Sequence, residues 1–89
     1  MVRTRGEAQH YRVLAVIASM QRPTLRTIAR ESGLSEPTVR ASLRWLEGKG
    51  SIEADDSMKP HILWGVTERG QKDLLIAREI GEATRGRSQ

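Results

Sequence analysis

The spacing of apolar residues changes at Gly48-Lys49-Gly50, and no other feature limits the fold as much. Before that point they recur at helical intervals; after it they alternate; beyond Thr67 the helical spacing returns. From Ala8 to Met20, the positions Tyr11, Val13, Leu14, Val16, Ile17 and Met20 predict a broad, mostly buried first helix. Pro23 ends it, and Thr24 caps a second helix that turns Leu25, Ile28 and Ala29 inward and stops at Gly33. Leu34 anchors the turn. Ser35 caps a third helix, with Pro37 in its first turn where a missing N–H costs nothing, and that helix runs to about Lys49. Ile52 and Ala54, then Ile62, Trp64 and Val66, predict a β-hairpin around the turn-rich link 55–60. Thr67 caps a fourth helix carrying Leu74, Leu75, Ala77 and Ile80 to about residue 83. Residues 1–7 read as a flexible basic arm, 84–89 as a disordered basic tail, and 8–83 as one domain. The expected class is α+β, mainly α: a three-helix bundle, a hairpin and a C-terminal helix.

Eighty-nine residues bury only about 60–65% of the surface that the unfolded chain exposes, so the core is thin. With Trp45, Trp64 and Tyr11 as its aromatics and no Phe, it must be built from Leu, Ile, Val and Ala. Cysteine is absent, which removes disulfide scaffolds, Cys-based zinc sites, iron–sulfur clusters and thiol nucleophiles. The apolar run Val13–Ala18 falls far short of the roughly 20 residues that span a bilayer. No signal-peptide core follows Arg3 and Arg5. A soluble, cytoplasmic, nucleoid-associated protein is expected, without a cofactor and without a membrane partner.

Charge is uneven. Residues 1–50 carry nine Lys/Arg against four Asp/Glu, whereas residues 51–89 carry six against seven. A basic half in a small domain suggests a nucleic-acid face, because each phosphate neutralised releases counterions. Ordinary solubility charge is the other reading of that imbalance.

The stretch Thr24–Glu47 (TLRTIARESGLSEPTVRASLRWLE) has the pattern of two helices joined by a tight turn. Gly50-Ser51-Ile52 continues it, and Trp64-Gly65-Val66-Thr67-Glu68-Arg69-Gly70 opens the last helix. Together these segments resemble the winged helix-turn-helix superfamily. The Leu-Glu-x-x-Gly-x-Ile and Val-Thr-x-x-Gly elements are similar to those of MarR-like and PadR-like bacterial transcription regulators. The resemblance covers about residues 8–80 and implies a DNA-binding domain whose third helix enters the major groove of double-stranded DNA.

Residue spacing supports the same reading. Val39, Leu43 and Leu46 fasten the third helix to the other two, and at 100° per residue Pro37, Arg40, Ala41 and Arg44 then point into solvent. A basic outer face with a small residue between its arginines fits the major groove, so Arg40 and Arg44 are expected to read bases or grip phosphates. Ser35 and Thr38 lie at the helix N-terminus, where backbone N–H groups attract phosphate; pure capping explains Ser35 equally well. Glu36 can favour the helix dipole, accept from a cytosine amino group, or repel stray phosphates. Arg26 and Arg30, on the second helix, reach only backbone phosphates. The wing departs from the MarR-like pattern, in which the tip carries arginine. Here Lys59 and His61 stand behind Asp55 and Asp56. Two carboxylates weigh against contact with DNA unless one holds the hairpin or pairs with a basic residue. Arg3 and Arg5 in the arm, with Arg85 and Arg87 in the tail, could compensate, although basic ends of this kind more often serve solubility than specific contact.

Trp64 is expected in the core. For Trp45, at the edge of the buried stripe, three readings stand in falling order: rim of the core, DNA contact, partner surface. Leu74, Leu75, Ile76 and Ile80 carry more apolar area than one helix face needs, and Gly81 and Ala83 allow close approach. Two readings follow: a homodimer through the first and fourth helices, or a monomer acting as an accessory DNA-binding module. Asp55, Asp56 and His61 read better as an acidic turn than as a metal site, and His10 is remote in sequence. No Gly-x-Ser-x-Gly elbow, Walker loop or His-Glu-x-x-His helix occurs, so no enzyme is expected. The competing function is a protein-interaction module of the same fold with little DNA binding. An RNA-binding winged helix lacks the exposed stacking aromatics it needs.

Overall fold

A computed structural model describes the backbone of residues 5–87 and the side chains of residues 8–77. In chain order the elements are α1 (Arg5–Ser19), α2 (Leu25–Ser32), α3 (Glu36–Lys49), β1 (Ile52–Asp55), β2 (Leu63–Val66) and α4 (Glu68–Arg87). The architecture is mainly helical α+β, a three-helix bundle followed by a hairpin and a long last helix, as the apolar spacing predicts.

The core is aliphatic, for want of other material. Val13, Leu14 and Ile17 from α1 meet Ile28 and Ala29 from α2, then Val39, Leu43 and Leu46 from α3 and Ile52 from β1. Tyr11, Val16, Leu25, Leu34, Trp45, Trp64, Val66 and Leu74 close its rim half-buried. The caps predicted for α2 and α3 form. Thr24 Oγ1 accepts from the Thr27 N–H at 3.3 Å, and Ser35 Oγ accepts from the Thr38 N–H at 3.4 Å. Gly33 ends α2 at φ 74°, in the left-handed region where a side chain is disfavoured, and its N–H donates to the Ala29 carbonyl. Ser32, which the apolar pattern does not mark, is buried in the same turn. Its hydroxyl donates to the Ala29 carbonyl and accepts from the Leu34 N–H, both at 3.3 Å. Among the described residues no buried side-chain nitrogen or oxygen lacks a partner.

The start of α4 is pinned to the end of α3. Thr67 donates its N–H to the Ser51 carbonyl (3.0 Å) and its hydroxyl to the Gly50 carbonyl (2.6 Å), while accepting from the Gly70 N–H (3.1 Å). Ser51 Oγ donates to Asp73 Oδ2 at 2.6 Å. The Val-Thr-x-x-Gly element thereby acquires a physical meaning: Gly70 is buried directly against the Ser51 backbone, where no side chain fits.

Three sequence expectations are corrected. In the antiparallel hairpin Ile52 pairs with Val66, Glu53 with Gly65, Ala54 with Trp64 and Asp55 with Leu63. Ile62 precedes β2 and is 45% exposed, and Ala54 is also exposed, because only the hairpin's root lies over the helices. Trp64 packs against the core as expected, though only half-buried for the same reason. Helix α1 begins at Arg5 instead of Ala8, and α4 extends to Arg87 instead of stopping near 83. Apolar spacing locates the turns that packing holds, whereas polar helix formers such as Glu, Gln and Arg extend a helix past them. Of the expected arm and tail, residues 1–4 and 88–89 lie outside the described residues.

Candidate nucleic-acid interface

The seam of α3 decides which side chains face outward. Val39, Ser42, Leu43 and Leu46 are buried, and on a 3.6-residue helix that leaves Pro37, Arg40, Ala41, Arg44 and Glu47 exposed on the far side. Glu36 and Ser35 are exposed at its N-terminus, and Thr38 is half-buried. Ser35 is already engaged: it caps the helix by accepting the Thr38 N–H, and its hydroxyl donates to Thr38 Oγ1 at 2.8 Å.

An open groove of about 790 Å³ separates this face from the wing. Its helical wall brings Arg26, Arg40 and Arg44 together with Glu36 and Glu47. Its floor is apolar, made by Leu25, Leu43 and Trp64, and its far wall is Pro60, His61 and Ile62. Of the residues predicted to touch DNA, Arg26, Glu36, Arg40 and Arg44 therefore share one groove. Pro37 and Ala41 lie exposed on the same helix face. Lys59 does not line the groove; it projects from the loop with Asp56 3.6 Å away. The sequence gives no hint of Leu25, Leu43 and Trp64 as groove floor, since an apolar residue at helical or strand spacing reads as core whether or not its outer edge meets solvent.

Each carboxylate of the acidic wing has a cation beside it. Asp55 Oδ1 accepts from the Ser57 N–H at 2.9 Å, and Oδ2 accepts from Arg22 Nη1 at 3.1 Å. Hydrogen bonds from the Ser57 hydroxyl and backbone, with the Arg22 guanidinium behind them, hold the Asp55 carboxyl below its ordinary value of 3.8. Asp56 has Lys59 beside it. The Lys59–Pro60 peptide is cis.

On another side of α3, Trp45 covers the rim between α1 and α3, the first of its three readings. The His10 ring stacks on it at 4.5 Å, Tyr11 meets it edge-on at 6.1 Å, and Lys49 Nζ lies 4.6 Å from its ring centre. His10 Nδ1 is 2.8 Å from the buried Ser42 Oγ, which ties the back of α3 to α1. On α4, Leu74 packs against the core, while Leu75 and Ile76 are 58% and 54% exposed; the Ile80 side chain lies outside the described residues. Among the described residues no three His, Cys, Asp or Glu side chains gather into a metal site. No helix among them is long and apolar enough to cross a membrane.

A family model, the IclR helix-turn-helix domain, matches residues 11–56, which span the three helices and the first strand. The chain belongs to the IclR helix-turn-helix domain family. The wing and α4 complete this IclR-type domain into a winged helix-turn-helix DNA-binding domain. Solved structures share its fold. A MarR-family transcriptional regulator from Rhodococcus sp. RHA1 superposes with a TM-score of 0.81 at 22% identity, over 90% of this chain and 58% of that one. FabT of Streptococcus pneumoniae, solved in complex with DNA, gives 0.73 at 22% identity, over 89% and 57%. The Zalpha domain of Carassius auratus PKZ, solved with Z-DNA, gives 0.64 at 20% identity, over 72% of this chain and all of that one. The IclR-type chain thus spans a little over half the length of the MarR-family structure. No curated protein matches it. The motifs that resemble MarR-like and PadR-like regulators are borne out as winged helix-turn-helix motifs, with IclR as the matched family and MarR-family proteins sharing the fold.

Proposed function

We propose that this domain is the DNA-binding part of a sequence-specific transcription regulator, with α3 entering the major groove of double-stranded DNA. The observation that carries this reading is the outer face of α3. Arg40 and Arg44 stand exposed one turn apart with Ala41 beside them, and Arg26 joins them on the same wall of the groove. A guanidinium reads guanine through two parallel hydrogen bonds, and a small neighbour lets the helix approach the base edges. Ser35, Glu36, Pro37 and Thr38 lead the helix into the groove at its positive end, and Lys59 reaches a phosphate from the wing. The FabT structure with DNA supports the reading by its fold.

The competing reading, a protein-interaction module, drew on the acidic wing. With Asp55 and Asp56 both neighboured by cations, that argument loses its force. The exposed Leu75 and Ile76 favour a homodimer in which α4 and the adjacent α1 face a second copy, an arrangement that suits a two-fold symmetric site.

Fluorescence anisotropy on duplex DNA across a salt series, alongside selection of preferred sites from a random pool, tests the reading. Arg40→Ala or Arg44→Ala should each cost about 1–3 kcal/mol of binding to the preferred site. Where the lost contact is to phosphate, the salt slope should flatten by about 0.9. If both variants bind as tightly as the parent, α3 is not the reading helix.

A further inference from the structure

The short segment between α1 and α2 grips the wing at two points. The Trp64 N–H donates to the Pro23 carbonyl at 3.0 Å, and Arg22 Nη1 donates to Asp55 Oδ2 at 3.1 Å. The same guanidinium lies over the strand next door: a Cβ built on Gly65 would stand 3.6 Å from it. Both anchors act on the half of the hairpin farthest from its buried root at Ile52. Ala54–Trp64 and Asp55–Leu63 are the last two pairs before the loop.

Arg22 stands at φ 46°, the one described residue other than glycine with a positive φ. Glycine adopts that conformation freely and arginine does not, while the following proline restricts the position further. A backbone this demanding is occupied here by a residue whose guanidinium has a partner 33 positions away. Asp55 works in two directions at once. One carboxylate oxygen holds the Ser57 N–H where the wing loop begins, and the other holds Arg22.

We propose that Arg22 and Asp55 are positioning residues for DNA binding, their ion pair holding the wing at a fixed distance from α3 and so setting the width of the groove. This rests on the DNA-binding reading above. The groove floor includes Trp64, whose backbone is tied to Pro23 beside Arg22, so a loosened strap moves one wall relative to Arg40 and Arg44. The consequence is an inverted sign. A carboxylate near a phosphate backbone opposes binding through its charge, and removing it should strengthen the complex. For Asp55, removal should weaken it.

The test compares the parent with Asp55→Ala, Arg22→Ala and the exchanged pair Arg22→Asp/Asp55→Arg. It reads duplex-DNA anisotropy over a salt series and, without DNA, hydrogen exchange at the Trp64 amide. Each single substitution should weaken binding about fivefold, the size of a modest coupling between touching residues, and should speed exchange at Trp64. The salt slope of Arg22→Ala should match the parent's, since a lost phosphate contact would flatten it by about 0.9. The exchanged pair should recover part of the affinity and of the Trp64 protection relative to either single substitution, but not all of it, because an arginine at position 55 cannot accept the Ser57 N–H. Affinity of Asp55→Ala equal to or tighter than the parent's overturns the proposal, and so does a flattened slope for Arg22→Ala. Failure of the underlying reading looks different: the parent then shows no affinity at low salt, or none that depends on Arg40 and Arg44.

Discussion

Two glycines on helices of this domain should answer the same substitution with opposite signs. A Cβ at Gly70 would overlap the Ser51 carbonyl oxygen and stand 2.7 Å from Val66 Cγ1. Carbon atoms in contact prefer about 3.5–4.0 Å, so Val66 would have to retreat by roughly 1 Å. The Ser51 carbonyl cannot yield cheaply, because it accepts the Thr67 N–H at the start of α4. Overpacking of this kind costs about 1–3 kcal/mol and occasionally more. Parting Thr67 from Ser51 adds about 1 kcal/mol. Against these stands the helix preference for alanine over glycine, up to about 1 kcal/mol. Gly70→Ala should therefore lose about 1–3 kcal/mol net, which at 4–8 °C per kcal/mol lowers the melting temperature by roughly 5–20 °C. Gly48, in the last turn of α3, has nothing within 4 Å of the position its Cβ would take. There the helix preference acts alone, and Gly48→Ala should stabilise by about 0.4–1 kcal/mol and raise the melting temperature by a few degrees. Thermal unfolding followed by far-UV circular dichroism reads both. A Gly70→Ala variant melting at or above the parent would refute the close approach of α4 to Ser51 and the account of the Val-Thr-x-x-Gly element with it.

Two further outcomes concern assembly and acid. Leu75→Glu with Ile76→Glu should leave the helical signal intact and hold the protein monomeric in sedimentation at concentrations where the parent dimerises; a parent that sediments as a monomer throughout removes α4 as the dimer face. Because the Asp55 carboxyl titrates below its ordinary 3.8, its contribution to stability is present above the unfolded-state value and is lost only as the pH falls through the lower folded-state value. A carboxyl carbon titration by NMR should show a midpoint below 3.8, and Arg22→Ala should move that midpoint upward while Ser57 keeps part of the shift.

What the sequence displayed well was the part set by local rules. Thr24, Ser35 and Thr67 cap their helices because a short hydroxyl beside a free N–H has few better uses, and Gly33 stops α2 because left-handed backbone favours glycine. The buried seam Val39–Leu43–Leu46 then fixes the direction of Arg40 and Arg44 without further information. The hairpin was less legible. Alternation identified its strands, yet how much of each residue is covered depends on how far the wing overhangs the bundle, which spacing does not encode. Trp64 therefore closes part of the core and floors the groove together. Least visible were the long-range polar pairs. Nothing near Arg22 in sequence announces Asp55, and nothing near His10 announces Ser42, since such partners meet only once the helices have packed. Of the wing's two carboxylates, Asp55 does both things that exempt it from opposing DNA: it accepts the Ser57 N–H in the hairpin and pairs with Arg22.

The separate positions of the two tryptophans give the molecule a pair of independent optical probes. Trp45 sits under Lys49 and His10 at the joint of α1 and α3, whereas Trp64 lies at the junction of wing and groove. Each indole is a chromophore sensitive to its own surroundings, and the chain has no third. With Trp45 replaced by Phe, emission follows the wing alone; with Trp64 replaced, it follows the helical bundle alone. Light from one protein can thus time the settling of the wing on DNA separately from the melting of the helices beneath it.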